Sequence, residues 1–383
     1  MIKRITGLVL ALVLCGAWAL SLCEIEDADV DHCFARAKAA GGAFVVASHG
    51  RIVYEHYYGE QHKARHIPVT DKTYFKCASV TKFVTGIGLL ALMDAGILDP
   101  DTDISEYLGY EAGNPRYYPK QPVTLRHLMS HTSGINEEGS FSRQSSILSD
   151  MIALDKKAEG NFRSVRPGEQ YMYSNFGAGI TGAIIESVTG MDVSSFMREF
   201  LFAPLGIDAA YNAVQLSDPD DIVATYHADG SLYQAPSYML RQPYEEWPDP
   251  DRHYRITVGS LMIRPRDLCR LGIAACGDGT LDGIRVLSET ALERMRTPQS
   301  EETTGITDKS PYSFFCIHED SLFEGRTVYG HQGTNDGIVC NLYFEPESEL
   351  VLCVMTNGCA AVREDGIMSL TRRLAQLAQE YLE

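Results

Sequence analysis

The sequence places its strand-forming runs near its two ends, and this arrangement constrains the fold more than any other feature. Residues 43–48 form an apolar, strand-like run, His49-Gly50 is a turn signal, and residues 51–58 alternate as a returning strand, which together predict a β-hairpin. Residues 337–344 and 350–355 are rich in β-branched and aromatic residues and predict a second pair of strands. The intervening stretch, about 97–255, is rich in Pro, Gly, Asp and Tyr and predicts loops and short helices. This order predicts a mixed α/β (α+β) fold, in which an antiparallel sheet formed from both termini is flanked by helices and accompanied by a helical lobe.

Several segments carry the apolar spacing of helices. The segment Phe83 to Ala95 is followed by Gly96, a favourable residue after a helix C-terminus, and the segment Leu125 to Ser130 is preceded by Thr124, a favourable N-cap. The predicted helices are Phe83 to Ala95, Leu125 to Ser130, Gly177 to Val188, and Val362 to Leu382.

Composition excludes several classes of protein. Of the 383 residues, 45% are hydrophobic and 22% charged, as in an ordinary globular protein rather than a disordered or polytopic membrane one. The formal net charge of −18 argues against binding to a nucleic-acid backbone. We expect one two-lobed domain over 24–383, with a sheet lobe at about 30–78 and 256–383 and a helical lobe at about 79–255.

The N-terminus resembles an export signal. Lys3 and Arg4 precede an uncharged apolar stretch, and Ala17-Trp18-Ala19 is a small-x-small cleavage pattern, so 1–19 is predicted to be a signal peptide. An uncleaved anchor reaching to about residue 23 is the alternative. Both interpretations place the remaining chain in a secreted or extracytoplasmic compartment, with membrane contact only through the N-terminal segment.

The ten cysteines are too sparse for a disulfide-built fold of this length. Cys340 and Cys353 flank a predicted hairpin turn and are expected to lie near each other. The other interpretation is that most cysteines are small, buried apolar residues. The chain has no C-x-x-C pair, which excludes a zinc ribbon or a thioredoxin-type site.

Ser79-Val80-Thr81-Lys82 combines a nucleophile with a base. The spacing places Ser79 and Lys82 one turn apart on one face of a helix. A serine hydroxyl is a poor nucleophile without an adjacent base, and a desolvated lysine loses its charge and becomes one. The helix N-terminus adds N–H groups where negative charge develops in the reaction.

Two later segments complete the set. In Tyr173-Ser174-Asn175 the phenol is suited to moving protons and the amide to holding a substrate carbonyl, although a core tyrosine and a capping Asn have the same pattern. In His331-Gln332-Gly333 the glycine permits close approach of a ligand to a strand. The N–H groups of Thr334 and Ser79 would then form an oxyanion hole.

The order and spacing of these three segments resemble the serine β-lactamase and penicillin-binding-protein superfamily. The resemblance runs from about Gly42 to Gly358 and is to the branch of class C β-lactamases, D,D-carboxypeptidases and related esterases. Pro122 to Ile135 and Gly330 to Gly337 also look like that branch. The resemblance implies a β-lactamase/transpeptidase-like fold and a serine hydrolase that acts through an acyl-enzyme without any cofactor.

Residue by residue, the resemblance makes Ser79 the acylated nucleophile, Lys82 its base and Tyr173 a proton shuttle. Asn175 would bind substrate or hold Lys82, and Gly333 and Thr334 would line the substrate site. His331 stands where many members carry Lys, a departure that disfavours efficient β-lactam hydrolysis, because a partly charged imidazole holds a carboxylate less firmly.

Three substrate classes follow: D-Ala-D-Ala-type peptides of peptidoglycan, small esters or amides, and, as the alternative, β-lactams. An inactive protein that senses a cell-wall ligand is the competing hypothesis of another class. A covalent adduct that turns over would separate an enzyme from a sensor. The sequence leaves the oligomeric state open.

Two other motifs are predicted to have a structural role rather than to bind a cofactor or a metal. Gly177 to Gly182 matches G-x-G-x-x-G but follows no convincing buried strand, so helix packing is the preferred interpretation. His127 and His131 have helical spacing suited to a metal, yet no third ligand is evident, so a structural role is predicted and no metal is expected.

Overall fold

Both predicted pairs of strands are present in the structure, a computed structural model that describes residues 25–137, 147–155, 161–241, 246–299 and 311–382. The predicted export segment 1–19 lies outside these residues. In chain order, the strands are β1 (Gly41–Ser48), β2 (Arg51–His62), β3 (Ile67–Pro68), β4 (Phe75–Lys76), β5 (Ala209–Ala210), β6 (Thr225–Tyr226), β7 (Leu232–Gln234), β8 (Met262–Ile263), β9 (Thr280–Leu281), β10 (Ile284–Arg285), β11 (Ile317–Phe323), β12 (Arg326–Asn335), β13 (Ile338–Glu345), β14 (Leu350–Thr356), β15 (Arg363–Glu364) and β16 (Ile367–Met368).

The main sheet joins the two ends of the chain. Its order is β11-β12-β13-β14-β1-β2-β3, and all neighbours are antiparallel. The junction between the N-terminal and C-terminal halves is the pairing of β1 with β14, where Val45 lies opposite Cys353. The predicted antiparallel sheet built from both termini is therefore confirmed.

Helices cover both faces of this sheet, and helices, short strands and loops form the rest of the described residues. Among the described residues, no helix is long and apolar enough to cross a bilayer. In chain order, the α-helices are α1 (Asp27–Arg36), α2 (Val80–Asp94), α3 (Ile104–Leu108), α4 (Leu125–Met129), α5 (Leu148–Ile152), α6 (Asn175–Thr189), α7 (Val193–Met197), α8 (Pro236–Met239), α9 (Pro250–His253), α10 (Ile256–Gly259), α11 (Pro265–Cys276), α12 (Glu289–Arg296) and α13 (Ser369–Leu377).

Burial divides the core between the two faces of the sheet. The larger cluster contains α2, α6 and α11 and the sheet face that carries Val45, Leu342 and Cys353. The smaller cluster packs α1 and α13 against the face that carries Phe44 and Val354. Because side chains alternate along a strand, consecutive residues of β1 and β14 supply the two clusters.

The last predicted helix is only partly correct. The structure has a helix at Ser369–Leu377, whereas β15 and β16 form a short hairpin inside the predicted span of 362–382. Asp365 (φ 49°) and Gly366 (φ 83°) form its turn. An Asp-Gly pair favours a tight hairpin turn with positive φ, and this local preference overrides the apolar spacing.

The described cysteines are buried and unpaired. Cys340 lies opposite Met355 and Cys353 opposite Leu342, so these two thiols are offset by two residues on neighbouring strands. The eight are Cys33, Cys77, Cys269, Cys276, Cys316, Cys340, Cys353 and Cys359. This agrees with the interpretation of most cysteines as small apolar core residues.

Candidate active site

Ser79 stands at a sharp turn from strand to helix. It is the N-cap of α2, and its side chain makes no capping hydrogen bond. Ala78, directly before it, has φ 44°, a left-handed conformation that a residue with a Cβ rarely adopts. Such strain is typical of functional sites. The half-buried hydroxyl therefore projects at the positive end of a 15-residue helix.

Lys82 is fully buried beside this hydroxyl. Its Nζ lies 3.1 Å from Ser79 Oγ, as the helical spacing predicts. Nζ also donates to Asn175 Oδ1 at 2.7 Å and to the main-chain carbonyl of Val258 at 2.7 Å. These two acceptors come from α6 and α10, so three parts of the chain fix the amine against the serine.

Burial lowers the pKa of Lys82 to about 7, although the nearby carboxylate of Glu137 acts in the opposite direction. Desolvation disfavours the ammonium form because a charge loses more hydration than a neutral amine does. Near neutral pH a large fraction of Lys82 is therefore a neutral amine, whose lone pair can accept the Ser79 proton.

Tyr173 lies over Lys82. Its ring centroid is 5.2 Å from Nζ, and 37% of the residue is exposed. The turn after it starts α6: the Ser174 hydroxyl accepts a hydrogen bond from Gly177 N at 2.9 Å, and Asn175 is the first helical residue. The motif Tyr173-Ser174-Asn175 thus combines one helix cap with two groups that face the Lys82 amine.

Strand β12 passes directly against the start of α2. A Cβ added to Gly333 would lie 2.4 Å from the carbonyl oxygen of Cys77 and 3.0 Å from Ser79 N, so only glycine allows this approach. Thr334 follows and is exposed. Strand β11 pairs with β12 only as far as Gly330. After this residue β11 no longer covers the edge of β12, and this edge lies beside Ser79.

The imidazole of His331 is not partly charged, as the sequence had predicted, but neutral. It is 1% exposed, and burial, followed by the charge of Lys82, lowers its pKa to about 3. Its Nδ1 donates to Gln332 O at 2.6 Å, so Nε2 accepts from the Tyr312 hydroxyl at 2.5 Å. The imidazole is neutral at pH 7 and supplies no positive charge for a substrate carboxylate.

Glu137, Tyr312 and the carbonyl of Val258 were not predicted. Glu137 Oε1 accepts a hydrogen bond from Asn175 N at 2.5 Å and is the acidic group that acts on Lys82. The position of Glu137 just after the Pro122 to Ile135 stretch is the sequence feature that could have identified it. No pattern in the sequence marks Val258, because the interaction uses a main-chain carbonyl.

The two motifs for which a structural role was predicted, His127 with its helical spacing and the run Gly177 to Gly182, make capping and packing contacts. His127 Nδ1 accepts from Thr124 N at 3.1 Å in a capping box at the start of α4. In the G-x-G-x-x-G run, a Cβ at Gly179 would lie 2.6 Å from Tyr254 O, so the glycine permits close helix packing. Across the described ranges, no cluster of three His, Cys, Asp or Glu residues is arranged to hold a metal ion.

A serine at a helix N-terminus beside a buried amine, carried by this sheet-and-helix fold, defines a serine hydrolase of the β-lactamase and transpeptidase type. The family model described as Beta-lactamase matches residues 27–376, and the chain belongs to that family. Proteins of this family act on small-molecule or peptide substrates.

Named relatives agree with this assignment. Penicillin-binding protein 4 of Amycolatopsis lactamdurans is 29% identical over 316 residues, which cover 79% of this chain and 77% of that protein. Esterase EstB of Burkholderia gladioli is 29% identical over 254 residues, 61% of each chain. The structure of a D-amino acid amidase from Ochrobactrum anthropi SV3 superposes with a TM-score of 0.71 at 20% identity, covering 92% of this chain and 97% of that one, which shows a common fold.

Proposed function

We propose that the protein is an extracytoplasmic serine hydrolase that forms an acyl-enzyme on Ser79. The observation that carries the proposal is the contact of 3.1 Å between Ser79 Oγ and Lys82 Nζ, because this amine is fully buried and has a pKa of about 7. A base whose pKa lies near the working pH combines availability with proton affinity. The extracytoplasmic location is supported by the export pattern of 1–19.

Acylation begins with attack by Ser79 Oγ on the substrate carbonyl carbon. Lys82 Nζ takes the hydroxyl proton, and the carbonyl electron pair moves to oxygen. We assign the hydrogen-bond donors of the oxyanion to the N–H groups of Ser79 and Thr334, and the close approach of Gly333, the residue before Thr334, to Ser79 N supports this assignment. The tetrahedral intermediate then collapses, and the leaving alcohol or amine takes a proton from Tyr173, which Lys82 replaces.

Hydrolysis of the acyl-enzyme reverses these roles. A water molecule gives a proton to Lys82 as its oxygen attacks the ester carbon, either directly or through Tyr173, which accepts the proton from water while passing its own hydroxyl proton to the amine. A second tetrahedral intermediate expels Ser79 Oγ, which regains its proton, and the carboxylic acid leaves. Each step uses groups of this chain alone.

The proposed substrates are small esters or amides and D-Ala-D-Ala-type peptides. The names of the relatives, a penicillin-binding protein, an esterase and an amidase, support this range. The neutral His331 weakens the anchoring of a β-lactam carboxylate. A peptide carboxylate needs another cation, and we propose Arg363 for this role, because it donates to Gln332 Oε1 at 3.3 Å and its charge acts on His331.

The test is hydrolysis of a chromogenic ester, a D-Ala-D-Ala peptide and a penicillin by wild type and Ser79→Ala. We expect kcat on accepted substrates to fall by about 10⁴-fold or more in Ser79→Ala, because the nucleophile is lost. Ser321→Ala, which removes an exposed hydroxyl from β11, is the matched control and retains activity. Undiminished hydrolysis by Ser79→Ala would exclude the proposed nucleophile.

A further inference from the structure

His131 occupies a strained and buried position that the proposed chemistry does not use. It follows α4, is 1% exposed and has φ 56° in the left-handed region. Its Nε2 is buried and makes no hydrogen bond with the described part of the chain. A strained backbone and an unsatisfied buried polar atom both reduce the stability of the fold, and their presence therefore points to a function for the imidazole.

His131 holds the main chain on both sides of Tyr173. Its carbonyl accepts a hydrogen bond from Met172 N at 2.7 Å, and its Nδ1 accepts one from Ser174 N at 3.2 Å. The imidazole also packs on the Tyr173 side chain, with ring centroids 4.3 Å apart. One residue thus contacts Tyr173 itself and both of its neighbours.

The imidazole of His131 also contacts an aromatic wall formed by Tyr312 and Phe315. The ring centroid of Tyr312 lies 4.9 Å away and that of Phe315 5.6 Å away. The hydroxyl of Tyr312 donates to His331 Nε2, so this wall is anchored to β12. His331, Tyr312 and His131 therefore connect the strand of His331-Gln332-Gly333 to the proposed proton shuttle.

We infer that His131 is a positioning residue that fixes the Tyr173 side chain over Lys82 by clamping residues 172–174 and packing on the ring. The inference rests on the proposed function, since it assigns His131 an effect through Tyr173. The neutral state suits this role: burial lowers the pKa of His131 well below its ordinary value, so the imidazole keeps one proton. Because Ser174 N donates to Nδ1, that proton is on Nε2.

Two substitutions separate the parts of the clamp. His131→Phe keeps an aromatic ring but loses the acceptor for Ser174 N. His131→Asn keeps an acceptor near the position of Nδ1 and tolerates left-handed φ, but loses the ring. We expect kcat to fall about 10- to 100-fold in His131→Phe and less in His131→Asn, with KM changed less than about threefold, because misplacement of a catalytic group costs rate more than binding. His127→Asn, on α4 just before His131, is the matched control and leaves kcat unchanged.

The decisive measurement is a double-mutant cycle with Tyr173→Phe. If His131 acts through the tyrosine hydroxyl, His131→Phe and His131→Asn lower kcat less than about twofold further in the Tyr173→Phe background. Losses that multiply in the double variants, or a wild-type kcat in folded His131→Phe and His131→Asn, would overturn the inference. Thermal unfolding identifies a variant that fails to fold, in which case the other variant decides. Retention of hydrolysis by Ser79→Ala would instead refute the proposed function, so the two failures are distinguishable.

Discussion

At the scale of single residues, Lys82 shows how a cation becomes a base. The residue is fully buried, which lowers its pKa, and the carboxylate of Glu137 limits the decrease. The amine still makes hydrogen bonds to Asn175 and Val258, so its burial leaves it partnered in either protonation state. The balance between desolvation and one nearby acid sets the pH at which the amine can accept a proton.

This balance predicts the pH dependence of activity. Below the pKa of Lys82, about 7, the amine is protonated, so kcat/KM rises with pH through that value and then levels off. Glu137→Gln removes a charge that favours the ammonium, lowers the pKa of Lys82 and moves the rising limb to lower pH. The measurement is a pH profile of kcat/KM for both proteins, with Glu380→Gln, an exposed site, as control. A limb that moves to higher pH in Glu137→Gln would contradict this electrostatic account.

At the scale of elements, the contact between β12 and α2 assembles the proposed oxyanion hole. Gly333 lets the strand approach Cys77 O and Ser79 N more closely than any residue with a Cβ permits. The glycine of the His331-Gln332-Gly333 motif is therefore needed for packing between two elements as well as for access by a ligand.

Gly333→Ala should separate these elements and reduce activity. The added Cβ would lie 2.4 Å from Cys77 O, which forces β12 away from α2 and displaces the Thr334 N–H from the Ser79 N–H. We expect kcat to fall by about 10²–10³-fold, the usual effect of losing one oxyanion donor. Gly86→Ala, within α2, is the matched control, because its added Cβ meets Phe314 O at an ordinary 3.4 Å. Wild-type kcat in a folded Gly333→Ala would refute this role of the strand.

Elements differ in how well the sequence predicts them. The hairpin of β1 and β2 was predictable because alternation and the turn at His49-Gly50 agree, and both turn residues have positive φ. The Ser79–Lys82 contact was also predictable, because it is local to one helix. The helix predicted at 362–382 fails where local signals conflict, since Asp365-Gly366 forms a hairpin turn.

At the scale of the whole molecule, the properties that the sequence did not predict depend on distant parts of the chain. The neutral state of His331 follows from burial and from the charge of Lys82, and the pKa of Lys82 follows from burial and Glu137. A motif specifies which side chains are present, whereas desolvation depends on everything packed around them. The residue types at the site and the loss of charge by a desolvated Lys82 could therefore be predicted, but the neutral state of His331 and the effect of Glu137 required the tertiary structure.

A buried ion pair ties the helical part together and gives its stability a pH dependence. Glu186, 2% exposed, accepts from His253 Nδ1 at 3.1 Å and from Asp249 N at 2.7 Å. Burial acts to lower the pKa of His253, but the hydrogen bond and charge of Glu186 outweigh it, and the pKa is raised. The pair therefore contributes stability below the unfolded-state pKa of His253, and this contribution is lost as pH rises through the folded-state pKa.

His253→Asn isolates this contribution. Asn can still donate a hydrogen bond to Glu186 but does not titrate. We expect the free energy of unfolding of wild type to exceed that of the variant by more at pH 5.5 than at pH 8.5, measured by urea denaturation. Other titrating groups, Lys82 included, are common to both proteins and largely cancel in the difference. A difference that grows with pH would contradict the assigned sign.

Intact-protein mass spectrometry after rapid mixing with an ester, a D-Ala-D-Ala peptide or penicillin tests the central claim most directly. The account predicts a mass increase equal to one acyl group, mapped to the peptide that contains Ser79, followed by return to the original mass for substrates that turn over. Ser79→Ala should show no such increase. An acyl adduct on another residue, or turnover with Ser79→Ala at the wild-type rate, would contradict the account.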